Sequence, residues 1–196
     1  PEADRSALRF AAERPWLYET TVNGQPIDAG SGERWLDDEI RALPIGPHVQ
    51  AGDNEVTLTA RPFQVLCEIM PAYLLGEFSL HPAERGFRVV QASGLVLGDW
   101  ASQGCPFYHN AVRYAFDFEL PSPAPGLLVM MEQWKGSVAE VSVDGRSCGV
   151  LYPHELSLEV TGPFELGRHE LAIDVIGSMQ SLMGPHHAAG LPIFWT

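Results

Sequence analysis

Gly98-Asp99-Trp100-Ala101-Ser102-Gln103-Gly104-Cys105-Pro106-Phe107-Tyr108-His109-Asn110 gathers aromatic rings and hydrogen-bonding groups in one stretch without strand alternation. Rings such as Trp100, Phe107 and Tyr108 can stack on the C–H face of a sugar. Asp99, Gln103, His109 and Asn110 can bond its hydroxyls. Trp134, in Gln133-Trp134-Lys135-Gly136, is a second candidate platform in a turn between two expected strands. The same rings are large apolar bodies and can equally plug the end of a β-sandwich. Both readings stand at this level.

Other chemistries are less well marked. Glycoside hydrolysis needs two carboxyl groups roughly 5–10 Å apart. Glu68, Glu77, Glu132 and Glu140 qualify by type only, and their spacing selects no catalytic pair. His186 and His187, in Gly184-Pro185-His186-His187, are adjacent. Neighbouring side chains on an extended chain point apart, so a metal there would need Asp99 or His109 brought in by the fold. Hydrogen bonding within a closing loop is the simpler use, and no metal site is assigned. Asp37, Asp38 and Glu39 offer carboxylates to a structural calcium, which takes six or more oxygens. A solvated strand end accounts for them equally well, so no cofactor is assigned. Neither a nucleophile elbow nor a Gly-rich phosphate loop is present.

Charge narrows the partners. The 196 residues carry a net charge of −13 and a single lysine, Lys135. That disfavours nucleic acid and an anionic membrane, both of which call for a basic face. A neutral glycan is not penalised. No apolar run reaches the roughly 18 residues of a membrane span. Residue 1 is proline, so the chain is expected to be processed or part of something larger. Cys67, Cys105 and Cys148 make an odd count, which argues for three buried, reduced thiols. The compartment stays open.

The elements that must hold these groups read as strands. Glycine and proline number 19 and 16, which suits a turn-rich β-protein. Expected strands cover Ser6 to Glu13, Leu17 to Val22, Trp35 to Leu43, Glu55 to Ala60 and Tyr73 to Leu80. Further on they cover Phe87 to Gln91, Leu95 to Leu97, Asn110 to Leu120, Leu127 to Glu132 and Val138 to Val143. Cys148 to Tyr152, Leu156 to Val160 and Glu170 to Ile176 complete the set. Val112, Tyr114, Phe116 and Phe118 share one face of the strongest strand and are expected to face a core. Pro121 to Gly126 reads as a rigid surface loop. No stretch of ten residues holds a helical period.

One pattern occurs twice. Val22-Asn23-Gly24 is followed, after an interval, by Gly52-Asp53-Asn54-Glu55-Val56-Thr57-Leu58. Val143-Asp144-Gly145 is followed by Gly167-Arg168-His169-Glu170-Leu171-Ala172-Ile173. Asn-Gly and Asp-Gly are strong hairpin signals because both residues tolerate the positive φ of a type I′ turn. The spacing is too long for a solenoid repeat. It predicts two related modules, 1–84 and 85–196, parted at the turn His81 to Gly86.

The pattern Gly-Asp-Trp-x-x-Gln-Gly-x-Pro-Phe-Tyr, at Gly98 to Tyr108, resembles the galactose-binding-like β-sandwich modules near the C-terminus of large bacterial glycoside hydrolases. Val112 to Pro121, Val143 to Gly145, Gly167 to Leu171 and Leu182 to His187 extend the resemblance. Cys105 and Asn110 depart from it. The resemblance implies an all-β fold of two tandem antiparallel jelly-roll sandwiches packed together. It implies a non-catalytic carbohydrate-binding or accessory module, with catalytic residues elsewhere in the parent enzyme. Its partners would be a neutral glycan or the catalytic domain of its own chain, in a bacterial cytoplasm or outside the cell. Alternatives are a purely structural buttress and, at a distance, a small stand-alone hydrolase.

Overall fold

The computed structural model describes residues 4–68, 70–179 and 181–182. They form fifteen strands and a few short 3-10 turns, and no α-helix occurs among the described residues. The chain divides into two compact units, Pro1–Ser93 and Gly94–Thr196.

The first unit contains β1 (Arg9–Glu13), β2 (Glu19–Val22), β3 (Gln25–Ile27), β4 (Glu33–Trp35) and β5 (Asp37–Pro44). It continues with β6 (Val56–Thr59), β7 (Tyr73–Leu75), β8 (Phe78–Pro82) and β9 (Phe87–Gln91). Its sheets run β4-β5-β1-β7 and β3-β2-β6, with β8-β9 as a separate hairpin. Leu8, Val22 and Ile45 are its buried centre, with Phe10, Ile27, Val49 and Phe78 packed around them.

Two expected strands are each broken into two. Trp35 to Leu43 splits at Leu36, whose φ of 62° is a turn conformation, so Trp35 pairs with Asp37 across it. Tyr73 to Leu80 splits at Gly76. A side chain there would come within 2.8 Å of Leu8 Cδ2, and φ is 157°. Glycine therefore lets the chain pass close to the core. The turn expected to part the modules closes the β8–β9 hairpin, with Ala83 N–H donating to Gly86 O.

The second unit contains β10 (Ala111–Leu120), β11 (Ala124–Met130), β12 (Val138–Val143), β13 (Arg146–Leu151), β14 (Ser157–Phe164) and β15 (Gly167–Ile176). A four-stranded sheet, β10-β15-β12-β13, faces a two-stranded one, β11-β14. Val129, Val160 and Phe164 from the small sheet meet Ala139, Val141, Val143, Leu151, Ile173 and Val175 from the large one. This is a β-sandwich core, and alternation explains it: every second residue of β12 and β15 points inward.

Three expectations about this unit need correction. Phe116 is 36% exposed, and Val112 is only half-buried. Tyr114, Phe118 and Leu120 do pack on the core. Phe116, between Tyr114 and Phe118 on the same face, lines the groove beside β10 instead. Leu95 to Leu97 is not a strand. The loop expected up to Gly126 is shorter, because Ala124 already pairs with Phe164 and a register shift before Gly126 absorbs the irregularity. A side chain at Gly126 would meet the Val160 carbonyl at 2.9 Å.

The doubled pattern is seen in the backbone. Asn23 and Gly24 have φ of 51° and 76°; Asp144 and Gly145 have 51° and 75°. Both pairs make the tight turn of a hairpin, β2–β3 or β12–β13. In each case the strand after the second glycine returns to pair with the first strand, giving the orders β3-β2-β6 and β13-β12-β15.

Candidate functional site

Residues 98–110 lead directly into β10, and short-range bonds shape them. Gly98 (φ 132°) and Gly104 (φ 87°) supply backbone conformations that other residues rarely adopt. Between them the chain makes a tight turn. Gln103 N–H and Cys105 N–H both donate to Trp100 O, at 3.1 and 2.9 Å, and Gly104 N–H donates to Ala101 O at 3.2 Å. Asp99 caps it: its Oδ2 accepts from Ser102 N–H at 2.9 Å, while Ser102 Oγ donates to Asp99 O at 2.8 Å.

The polar handles of the loop are turned inward. Gln103 Oε1 accepts from Val96 N–H at 2.8 Å, and its Nε2 donates to Val96 O at 3.1 Å and Asp99 O at 3.3 Å. The side-chain amide thus satisfies the Val96 peptide as a strand neighbour would, which explains why Leu95 to Leu97 needs no sheet partner. Trp100 Nε1–H donates to the Tyr114 hydroxyl at 2.6 Å, and the indole packs on the sandwich core. The Tyr108 ring meets Trp100 edge-on, with centroids 5.8 Å apart, and its hydroxyl donates to Ala111 O at 3.1 Å. Burial of the ring pushes the Tyr108 phenol upward, with a smaller contribution from Cys105. Tyr108 still keeps 38% of its surface in solvent.

The other expected residues are more scattered. Phe107 and His109 are half-buried, while Asn110 is exposed and its carbonyl accepts from Gly177 N–H at 3.2 Å. Trp134 lies half-buried in another loop, against the same core as Trp100, and its Nε1–H donates to Glu155 O at 3.3 Å. The fold therefore brings Trp100, Tyr108 and Tyr114 together. Asp99 and Gln103 are bonded within their own turn, and Trp134 is fixed by the Tyr152–Glu155 turn, where Glu155 Oε2 accepts from Tyr152 N–H at 2.9 Å.

Beside this loop an open groove of about 450 Å³ runs along β10. Leu95, Val96, Leu97, Arg113, Tyr114, Ala115 and Phe116 line it. Val96 and Leu97 are largely exposed. Its one charged side chain, Arg113, is committed to Asp174 by two bonds, Nε to Oδ1 at 2.9 Å and Nη2 to Oδ2 at 2.7 Å. That pairing holds the Asp174 carboxyl below the usual range.

The remaining candidates are dispersed. Glu68 and Glu77 are in the first unit, Glu132 and Glu140 in the second, and all four are exposed. Asp37 Oδ1 accepts from the Glu39 and Ile40 amides, Asp38 pairs with Arg34 at 2.9 Å and Glu39 pairs with Arg14. These acids serve the β4–β5 bend. No group of three or more His, Cys, Asp or Glu able to hold a metal occurs among the described residues. His186 and His187 lie outside the described residues. None of the three cysteines is in a disulfide; Cys67 is buried and the other two are half-buried, short of the full burial expected.

Sequence reasoning missed one polar cluster. His169 Nδ1 lies 2.7 Å from Asp144 Oδ2, and its Nε2 lies 2.8 Å from Glu165 O. In the sequence both residues read only as turn and strand markers. Their signal is that Val-Asp-Gly and Gly-x-His stand in the second copy where Val-Asn-Gly and Gly-x-Asn stand in the first, at sites that the doubled topology brings together.

No family model matches the chain. No curated protein matches it. Among solved structures, a rhamnosidase from Novosphingobium sp. PP1Y is similar over 97% of this chain and 19% of its own, with 17% identity and a TM-score of 0.37. The chain thus spans about a fifth of that structure's length.

Proposed function

We propose that this chain is an accessory β-module of a multidomain glycoside hydrolase, and that its 98–110 loop acts as a buttress. The enzyme context rests on the resemblance of Gly98 to Tyr108 and Val112 to Pro121 to such modules. One observation carries the buttress reading: the Trp100 indole N–H, the Gln103 amide, the Asp99 carboxylate and the Tyr108 hydroxyl all bond to the protein itself. A sugar would have to compete with those partners, and for the half-buried Trp100 N–H an unmade bond costs about 1–3 kcal/mol. The exposed Val96 and Leu97 side chains beside Phe116 offer apolar area instead. The partner in this reading is the catalytic domain of the same polypeptide.

Glycan binding is the second reading, favoured by the 38% exposure of Tyr108 edge-on to Trp100. Affinity electrophoresis through gels of neutral polysaccharides, combined with melting temperatures, separates the two. The buttress reading expects no retardation for the wild type and a lower melting temperature for Trp100→Phe. Retardation that Tyr108→Ala abolishes, at unchanged melting temperature, would replace it with the binding reading.

A further inference from the structure

We propose that His169 and Asp144 form a protonation latch in the second unit, tying both the β12–β13 turn and the β14–β15 corner to strand β15. The imidazole faces an acceptor at each nitrogen: the Asp144 carboxylate at 2.7 Å and the Glu165 carbonyl at 2.8 Å. Neither partner can donate, so both bonds form together only when the ring carries two protons. The ring has little freedom to turn away. Its side chain is 10% exposed. It stacks on Phe118 at 5.5 Å and meets the edge of Phe164 at 6.0 Å.

Asp144 favours the cation, and charges of both signs lie further out. Asp144 is the acid in contact with the ring, and its other oxygen accepts from Glu170 N–H at 2.9 Å. Arg146 follows on β13 and lies over Phe164, with Nη2 donating to Thr161 O. On β10, Asp117 and Glu119 flank Phe118, and Asp117 is bound to Arg168 of β15 at 2.6 Å. Glu165 at the corner and Glu170 on β15 are exposed. The Asp144 bond and then the Glu165 carbonyl raise the His169 imidazole above its ordinary value near 6.5.

The order of release follows from the acceptors. A neutral ring keeps its single proton on Nδ1, where the acceptor is ionised. The Nε2 lone pair then opposes the Glu165 carbonyl. The β14–β15 corner therefore loosens first as pH rises, while the β12–β13 turn stays bound. A raised folded-state value means that, while Asp144 is ionised, the latch is fully formed below about pH 6.5 and is lost as pH rises through that raised value.

An NMR titration of the intact chain from about pH 5 to about pH 9 tests this. His169→Asn assigns the His169 Cε1–H resonance by its disappearance. The expected midpoint is above 6.5. Amide protection factors at residues 166–168 should fall through the same midpoint, by about tenfold for each unit of elevation. Asp144→Asn keeps the acceptor for Glu170 N–H but removes the charge; the midpoint should fall and the corner lose its pH dependence. A wild-type midpoint at or below 6.5, or protection flat across the range, would overturn the latch. Amide protection is read on the wild type alone, so it tests the latch even where a variant unfolds.

Discussion

Asn23 and Asp144 stand at the same point of the same three-strand motif, with nearly identical backbone angles, and recruit different neighbours. Each takes the amide of the returning strand on Oδ1: Glu55 N–H for Asn23 and Glu170 N–H for Asp144, both at 2.9 Å. Each also sends its own N–H to that residue's carbonyl, at 2.8 and 2.9 Å. The residue just before differs in kind. Asn23 Nδ2 donates to Asn54 Oδ1 and to His48 O, both at 2.9 Å, an uncharged network. Asp144 Oδ2 meets an imidazole. The backbone device fixes the turn, and the second polar atom of the side chain decides whether the corner responds to pH. The two cores differ as well, with three buried members in the first cluster and nine in the second.

The largest effect should come from the second core. Leu151 is fully buried, and Leu151→Ala should cost about 2–5 kcal/mol in denaturant unfolding. Phe116→Ala should cost clearly less than the roughly 3–5 kcal/mol of a buried phenylalanine, because a third of that ring is already wet. Equal costs for the two variants would mean that Phe116 is buried in solution.

Exchanging the corner residues sharpens the comparison. Asn23→Asp sets a carboxylate against two oxygen acceptors, His48 O and Asn54 Oδ1, and should cost about 1–3 kcal/mol by thermal or denaturant unfolding at neutral pH. No loss would show that the amide network contributes nothing to the first corner. Smaller again is Trp100→Phe, which keeps most of the apolar area and deletes the bond to the Tyr114 hydroxyl. About 0.5–1.5 kcal/mol is expected. A neutral result would place the indole N–H in contact with water.

The weakest effect lies on the acid side. Hydrogen bonds from His169, Arg168 and Arg113 hold Asp144, Asp117 and Asp174 below the usual carboxyl value of 3.8. Depressed folded-state values mean stability that is present above about pH 3.8 and is lost as pH falls through them. The Arg168–Asp117 pair is exposed on both sides, so solvent screens it. Melting temperatures of Arg168→Ala and wild type should converge as pH drops toward 3. A gap that persists there would assign Arg168 a packing role.

Patterns of period two were readable wherever a strand's fate depends on its own residues. The β9 and β12 strands match their expected bounds, and β10 differs by one residue at its start. Asn-Gly and Asp-Gly located both hairpins, because tolerance of positive φ belongs to the residue itself. The chemistry of 98–110 was readable only as an inventory. Trp100 reads as platform or plug alike in the sequence, and only the fold sets the Tyr114 hydroxyl, fourteen residues on, beside its N–H. Gln103 reads in the sequence as an uncommitted amide, and only the fold sets the Val96 peptide beside it.

The sequence by itself determined an all-β chain, its tight turns and the repetition of one corner, because these follow from local steric preference and alternation. Tertiary structure alone decided which residues of an inward-pointing row are buried. Val112, Tyr114, Phe116 and Phe118 share a face, yet Tyr114 and Phe118 pack on the core while Phe116 lines an open groove. It also decided which polar groups are already satisfied. A hydrogen bond reads the distance between two atoms, and for His169 and Asp144 that distance is set by pairing strands 25 residues apart.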